Sequence, residues 1–379
     1  MKRKINYILA RILSVINVFF PKDKNLIFFY DSMNQILLDN TEAIYSYIVE
    51  HDKNNKYKKV VLIAKSKDKP SKIKCAYYFM RAYYVFLSFG DLRIRPANNQ
   101  IVVNQWHGSP IKTIGKLTKY EDYKNETLDN FTYIICSSKL FVEPFAKAFG
   151  CNPNKVKILG QARNDYLFNR DISDFYKFDL SGNNYNKCII WMPTFRISED
   201  NRFKDSNMIN EETMLPIFST FEELNKLNSY LNELNILLVI KSHGHASIVK
   251  KDYTNIRYIT NDDLIRTNTK LYLLVKDFDA LITDYSSIFT DFYLLNKPVG
   301  FTVDDYDSYM NERGFAIKDP KQYMTGSLIN NSNDFYNYIS NVSNGIDDFE
   351  EQRVKMNRVM NKYDNDNCKR LCELTNLKF

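Results

Sequence analysis

The stretch LITDYSSIFTDF, residues 281–292, decides the fold. Its first residues, with Ala280 before them, are apolar and β-branched enough for a buried strand. Asp284-Tyr285-Ser286-Ser287 then breaks the run, and an apolar helical pattern starts at Ile288. A strand that feeds a helix after one short turn is half of a βαβ unit, and such units build parallel sheets.

Working outward, the same alternation recurs along the chain. Strands are expected at 26–29, 60–64, 101–104, 133–136 and 156–159, and again at 188–192, 236–240, 256–259, 280–283 and 299–301. Between the two sets DLSGNNYNK, residues 179–187, reads as a linker. The expected fold is therefore α/β, with two doubly wound Rossmann-like domains of similar size facing a central cleft. Residues 25–178 form the first domain and 188–350 the second. Residues 351–379 read as helix, loop and closing helix, able to return to the first domain. In the first domain a helix is expected over 41–50, capped by Asn40 or Thr41 with Glu42 in its first turn.

The 379 residues, 44% hydrophobic and 15% aromatic, supply ample core for two domains and exclude a disordered chain. A net charge of +7 suits a basic face for an anionic ligand or membrane and does not imply nucleic acid. The 6 cysteines show no CxxC spacing and several sit in apolar runs, which fits a reducing, cytoplasmic environment. Residues 1–24 read as an amphipathic helix, with Ile5, Ile8, Leu9, Ile12, Leu13, Ile16 and Phe20 on one stripe behind Lys2, Arg3 and Lys4. The longest uncharged run, 12–21, is too short to span a bilayer. Packing on its own domain and lying in a membrane interface both remain open.

Four stretches can carry chemistry. NQWHGSPIK, residues 104–112, places His107 just past a strand, as a base, a ligand or a buried structural ring. WMPTFR, residues 191–196, ends a strand with Thr194 and Arg196, a hydroxyl and a guanidinium suited to phosphate oxygens. KSHGHA, residues 241–246, sends His243 and His245 off a buried strand. Their spacing is not that of a zinc pair on one helix face, and no carboxylate or thiol stands near, so no metal is expected. In the opening stretch, Ser286 and Ser287 sit where a helix N-terminus favours phosphate, with Asp284 just before. Ordinary serine capping explains one of those hydroxyls but not the pair. DDYDSYMNERGF, residues 304–315, crowds Glu312 and Arg313 onto a polar loop that can grip a polyol or close as a lid.

Taken together with NTEAIYSYI (41–48 preceded by Asn40), ILGQARNDYLF (158–168), TDYSSIFTDFYLLNKPVGF (283–301) and the DNDNCKR near the end, these collinear blocks resemble the CDP-glycerol glycerophosphotransferase family. Its members transfer glycerol phosphate or ribitol phosphate from a CDP-polyol in teichoic acid and capsule synthesis. Two positions depart from the family pattern: Gly244 follows His243 in place of Pro, and Gly326-Ser327 stands in place of a Pro-Gly pair. The resemblance implies a GT-B architecture, an EC 2.7.8-type transferase, no cofactor, a lipid-linked or polymeric polyol-phosphate acceptor, and peripheral attachment to the inner face of the cell membrane. It implies His107 as general base with His243 as a second catalytic group. Arg196, Thr194, Ser286, Ser287 and Asp284 fall to the donor diphosphate, and Ser109, Lys112, Arg163, Asn164, Asp165, Glu312 and Arg313 to the acceptor or polyol. A GT-B glycosyltransferase using a nucleotide sugar is the alternative enzyme, since the fold serves both. A noncatalytic polyanion- or membrane-binding protein is the alternative outside enzymes.

Overall fold

The computed structural model describes residues 2–89, 92–119, 126–169, 172–178, 180, 185–194, 212–241 and 251–379, with side chains from residue 7 onward. The chain divides into two compact units: residues 1–109, 115–168 and 361–379, and residues 110–114 and 169–360. The break at 109–115 and the start of the second unit at 169 differ from the expected boundary at 179–187.

In the first unit, β1 (Asp23–Asp31), β2 (Lys58–Ile63), β3 (Ala82–Leu87), β4 (Ile101–Asn104), β5 (Tyr133–Cys136) and β6 (Val156–Ile158) form a parallel sheet in the order β2-β1-β3-β4-β5-β6. Helices α1 (Lys2–Phe19), α2 (Asp39–His51), α3 (Lys72–Arg81) and α4 (Val142–Phe149) belong to it. The central strands are buried over most of their length: Ile27, Phe28, Phe29, Val85 and Phe86 are inaccessible to solvent. A parallel sheet covered on both faces needs such continuous apolar strands.

β3 is the central strand that the periodicity does not announce. Helix α3 runs straight into it, with Ala82 both ending the helix and beginning the strand, so KIKCAYYFMRAYYVFL contains no turn residue to mark the change. The start of α2 also differs from expectation. Its N-cap is Leu38, which makes no side-chain cap bond, and Asp39 takes φ +53°. Asn40 is turned inward and is fully buried.

In the second unit, β7 (Lys187–Met192), β8 (Ile236–Lys241), β9 (Ile256–Ile259), β10 (Ala280–Thr283), β11 (Val299–Thr302) and β12 (Ser327–Ile329) form a second parallel sheet. Read from one edge, the order β9-β8-β7-β10-β11-β12 is the 3-2-1-4-5-6 order of dinucleotide-binding sheets. Its helices are α5 (Phe221–Glu233), α6 (Asn261–Arg266), α7 (Leu271–Val275), α8 (Ile288–Phe292), α9 (Tyr306–Glu312), α10 (Ser332–Ser343) and α11 (Glu350–Met360). Reciprocal capping boxes, Thr220 with Glu223 and Thr260 with Asp263, open α5 and α6. At Gly326, one of the departures from the family pattern, a Cβ would lie 2.1 Å from the Val299 carbonyl oxygen, so only glycine lets β12 approach β11 there.

The last helix, α12 (Asn367–Thr375), packs with the first unit: Cys368, Leu371 and Cys372 share a core cluster with Ile27, Phe29, Ile44 and Phe86. Residue 360 thus ends the second unit and the chain returns. All 6 cysteines are unpaired thiols; burial pushes that of Cys136 up to about 12, which makes it a small apolar residue in practice.

Candidate active site

The second unit's site grows from its sheet. β7 and β10 are neighbours, paired Ile282 with Trp191 and Thr283 with Met192, and the strand order reverses between them. Ligands of open α/β sheets bind beyond the strand ends at such a reversal. Thr194 and Asp284 stand there. The Asp284 carboxylate, fully buried, accepts from Thr194 N at 2.8 Å, Thr194 Oγ1 at 2.6 Å and Ser286 N at 3.0 Å. Lys112 Nζ donates to Thr194 Oγ1 at 3.1 Å. The one hydroxyl proton of Thr194 therefore goes to Asp284 and its lone pair to Lys112. Thr194 is a link that aims the ammonium, and Asp284 anchors the link.

Lys112 reaches this place because residues 110–114 belong to the second unit. The segment forms an antiparallel bridge from Lys112 to Phe315; Ala316 N donates to Ile111 O at 2.8 Å and Thr113 Oγ1 to Arg313 O at 2.8 Å. The sequence reading placed Lys112 with the acceptor; the geometry groups it with Thr194 and Asp284. The DDYDSYMNERGF loop is largely the helix α9, tied down by Tyr285 Oη donating to Asp305 Oδ1 at 3.0 Å and by Tyr285 packing on Tyr309 and Phe315. Arg313 contributes its carbonyl to Thr113, while Glu312 is exposed and accepts from Ser308.

Ser286 and Ser287 are half-buried. Ser287 makes no side-chain cap bond, and α8 has only 5 residues before a 3-10 turn at Tyr293–Leu295. A helix this short has little macrodipole, so the expected dipole cradle reduces to two hydroxyls beside a strand end. Arg196, His243 and His245 lie outside the described residues.

In the first unit, β4 ends at Asn104 and the chain turns through Gln105, Trp106 and His107. Asn104 Oδ1 accepts from Trp106 N at 2.9 Å, Trp106 takes φ +52°, and Gly108 takes φ +140°. The result exposes the imidazole of His107, which stacks on Phe89 at 4.7 Å and contacts Trp106 at 4.2 Å between ring centroids. Of the alternatives for this ring, burial in the core is overturned. Asn40 Nδ2 donates to Gln105 O at 3.3 Å, Trp106 O at 3.0 Å and Gln161 Oε1 at 2.6 Å, and Asn40 Oδ1 accepts from Arg163 N at 3.1 Å. Arg163 Nη1 in turn donates to His107 O at 3.1 Å and lies 3.5 Å from Asp39 Oδ1.

Arg163 belongs to this frame, and both it and Asn164, 5% and 1% exposed, are buried rather than on an open surface. Asp165 is committed elsewhere: its carboxylate accepts from Asn367 N at 2.8 Å and Cys368 N at 2.9 Å, capping the first turn of α12. Burial raises its pKa, an effect these bonds oppose. Ser109, buried, faces Ser137 at 3.3 Å between hydroxyl oxygens. The expected cap, Asn40 or Thr41, is not used: the N-cap position falls to Leu38, and nothing in the local pattern announces that Asn40 reaches the distant loop.

A family model, CDP-Glycerol:Poly(glycerophosphate) glycerophosphotransferase, matches residues 12–374. The chain belongs to this family. It is 28% identical over 344 residues to a teichoic acid poly(glycerol phosphate) polymerase of Bacillus spizizenii, covering 82% of this chain and 83% of the relative. With a teichoic acid glycerol-phosphate transferase of Staphylococcus aureus it shares 25% over 360 residues, 88% and 87% of the two chains. The fold is similar to that of the wall teichoic acid polymerase TagF, with TM-score 0.74 at 18% identity over 98% of this chain and 93% of the other. The fold class is thus GT-B-like, and the protein is a polyol-phosphate transferase of teichoic acid synthesis.

Proposed function

We propose that this chain moves glycerol phosphate, or ribitol phosphate, from a CDP-polyol to a hydroxyl of a lipid-linked or polymeric polyol-phosphate acceptor, releasing CMP. The observation that carries the donor side is the Lys112–Thr194–Asp284 cluster at the strand-order reversal of the second unit. The similar protein TagF was solved after a soak with CDPG. Lys112 presents an ammonium to the diphosphate, with Arg196 as a second cation and Ser286 and Ser287 as hydroxyl donors. Asp284, which accepts from three donors, serves by holding Thr194 and the Ser286 amide.

The acceptor falls to the first unit. A neutral imidazole is suited to taking a proton, and His107, exposed, removes that of the attacking hydroxyl. The new O–P bond forms at the β-phosphorus as the bond to CMP breaks, and the cations together with His243 stabilise the charge that leaves on CMP. No covalent enzyme intermediate is needed.

The membrane enters through α1. Tyr7, Ala10, Ser14 and Asn17 face the first unit: Asn17 is fully buried and donates to Arg95 O and Gln100 Oε1, each at 2.9 Å, while Arg95 N donates to Ser14 Oγ at 2.9 Å. The other face exposes Ile8, Leu9, Ile12, Val15, Ile16 and Phe19, the last at 83%. A helix docked through polar and small residues with its apolar stripe outward is suited to the interface of an anionic bilayer, aided by Lys2, Arg3 and Lys4. Among the described residues no helix is long and apolar enough to cross a membrane.

The test of the reaction is incubation of the purified chain with CDP-glycerol or CDP-ribitol and polyol-phosphate acceptors, read by product mass. Acceptor-dependent CMP release is expected from one of the donors. Turnover of a nucleotide sugar with neither CDP-polyol consumed would overturn the reading.

A further inference from the structure

We infer that Asn40 is a positioning residue for the reaction, acting through the backbone of the loop that carries His107. The inference rests on the reading of His107 as the base and deepens it. Asn40 stands in the first turn of α2, 65 to 67 residues before the loop, and Asp39 adopts φ +53° just before it. That backbone turn at Asp39 leads into an Asn40 side chain directed to the residues just past the ends of β4 and β6.

Backbone groups fix which end of the amide points where. Its oxygen accepts from the main-chain N–H of Arg163, so its nitrogen must be the atom that meets the carbonyls of Gln105 and Trp106. The two carbonyls immediately before His107 are thus held by Asn40, and the carbonyl of His107 itself by Arg163. Asn104 holds the Trp106 N–H. Every peptide unit from Gln105 to His107 has a side chain fastened to it, at a point where Trp106 sits at φ +52°. Strained loop backbone persists only where its surroundings impose it, and a general base displaced by an ångström loses rate steeply. Asn40 touches no reacting atom; its work is to keep the imidazole where the acceptor hydroxyl meets it.

The test is a double-mutant cycle on turnover, using the full chain, CDP-glycerol or CDP-ribitol, whichever supports turnover, and a polyol-phosphate acceptor. Asn40→Ala is expected to lower kcat by about 10- to 100-fold while the donor KM moves by less than about twofold. In the His107→Ala background the same substitution should change the residual rate by less than about twofold, because there is no longer a base to position. An equal fold loss in both backgrounds overturns the proposal and makes Asn40 a general support of the fold. If Asn40→Ala does not fold, by melting curve and donor binding, the cycle is run with Arg163→Lys, which removes the Nη1 donor on the His107 carbonyl and keeps the charge beside Asp39. Undiminished turnover of His107→Ala is a different failure: it removes the base itself, and the clamp's purpose with it.

Discussion

The two units hold their chemistry in opposite ways. In the second, the anchoring groups are local to neighbouring strand ends: Asp284 follows β10, Thr194 follows β7, and a pair of 2.6 and 2.8 Å bonds joins them. Thr194 and Asp284 are themselves 90 residues apart and Lys112 stands 82 before Thr194, so it is the pairing of neighbouring strands that brings the first two together. In the first, the loop bearing His107 is gripped by Asn40 from α2 and Arg163 from the segment after β6, with one residue of the loop's own strand helping. A carboxylate at a strand-order reversal organises a site by charge and proximity. The exposed imidazole of His107 stands on an irregular loop just past β4, and side chains from α2 and from the segment after β6 fix that loop's backbone.

The sharpest way to break this comparison is His107→Ala. Turnover is expected to fall by about 10²–10⁴ with donor affinity unchanged; calorimetry with the CDP-polyol beside a rate assay checks it. A variant that loses donor affinity but keeps turnover would put His107 on the donor side and erase the division of labour between the units.

Next in size is Asp284→Ala. It removes the acceptor of three donors and frees Thr194, so the Lys112 ammonium loses its aim. Hydrogen bonds to a charged group are worth about 1.5–3 kcal/mol, and donor binding should weaken by about 10- to 100-fold on that scale. Normal donor affinity measured by calorimetry would show that the cluster is only structural.

Replacing Ser286 and Ser287 together with Ala should lower donor affinity by about 1–3 kcal/mol while shifting stability by less than about 1–2 kcal/mol. The small stability change follows from the missing cap bond at Ser287. Unchanged affinity with a large drop in melting temperature would return the pair to a capping role.

The smallest effect concerns α1. Lys22 Nζ donates to Asn17 O, Asn17 Oδ1 and Phe20 O, at 2.8, 2.8 and 2.9 Å, and burial pushes its pKa down from 10.5 to about 8. The folded chain holds this proton less tightly than the unfolded chain, so the stability contributed by Lys22 rises as pH climbs from about 8 to 10.5. Melting temperatures of the native chain minus those of Lys22→Met should increase across that window. A flat difference would show that the ammonium is well solvated where α1 ends.

Much of this was legible without coordinates. The strands at 101–104, 133–136, 256–259 and 280–283 are observed at those bounds, since short β-branched runs flanked by polar residues have few other solutions. β3 was not legible, because a helix that passes into a strand at Ala82 leaves no break in an aromatic, apolar run. The short edge strand β12, with only 3 residues, gave no period to read.

What the sequence by itself determined, then, is everything written in neighbouring residues: the βα grammar, the ordering of motifs that marks the family, and His107, Thr194 and Asp284 at strand ends. Tertiary structure alone decided the rest. It turned Asn40 from a cap into a clamp on a loop 65 residues away, drew Lys112 across to Thr194, bound Asp165 to the start of α12, and faced the apolar stripe of α1 outward. The physical reason is common to all four. Each depends on a contact between residues that share no helix or strand, and such contacts leave no periodicity in the chain; they exist only once burial has brought unpaired backbone and side-chain groups together and each must find a partner.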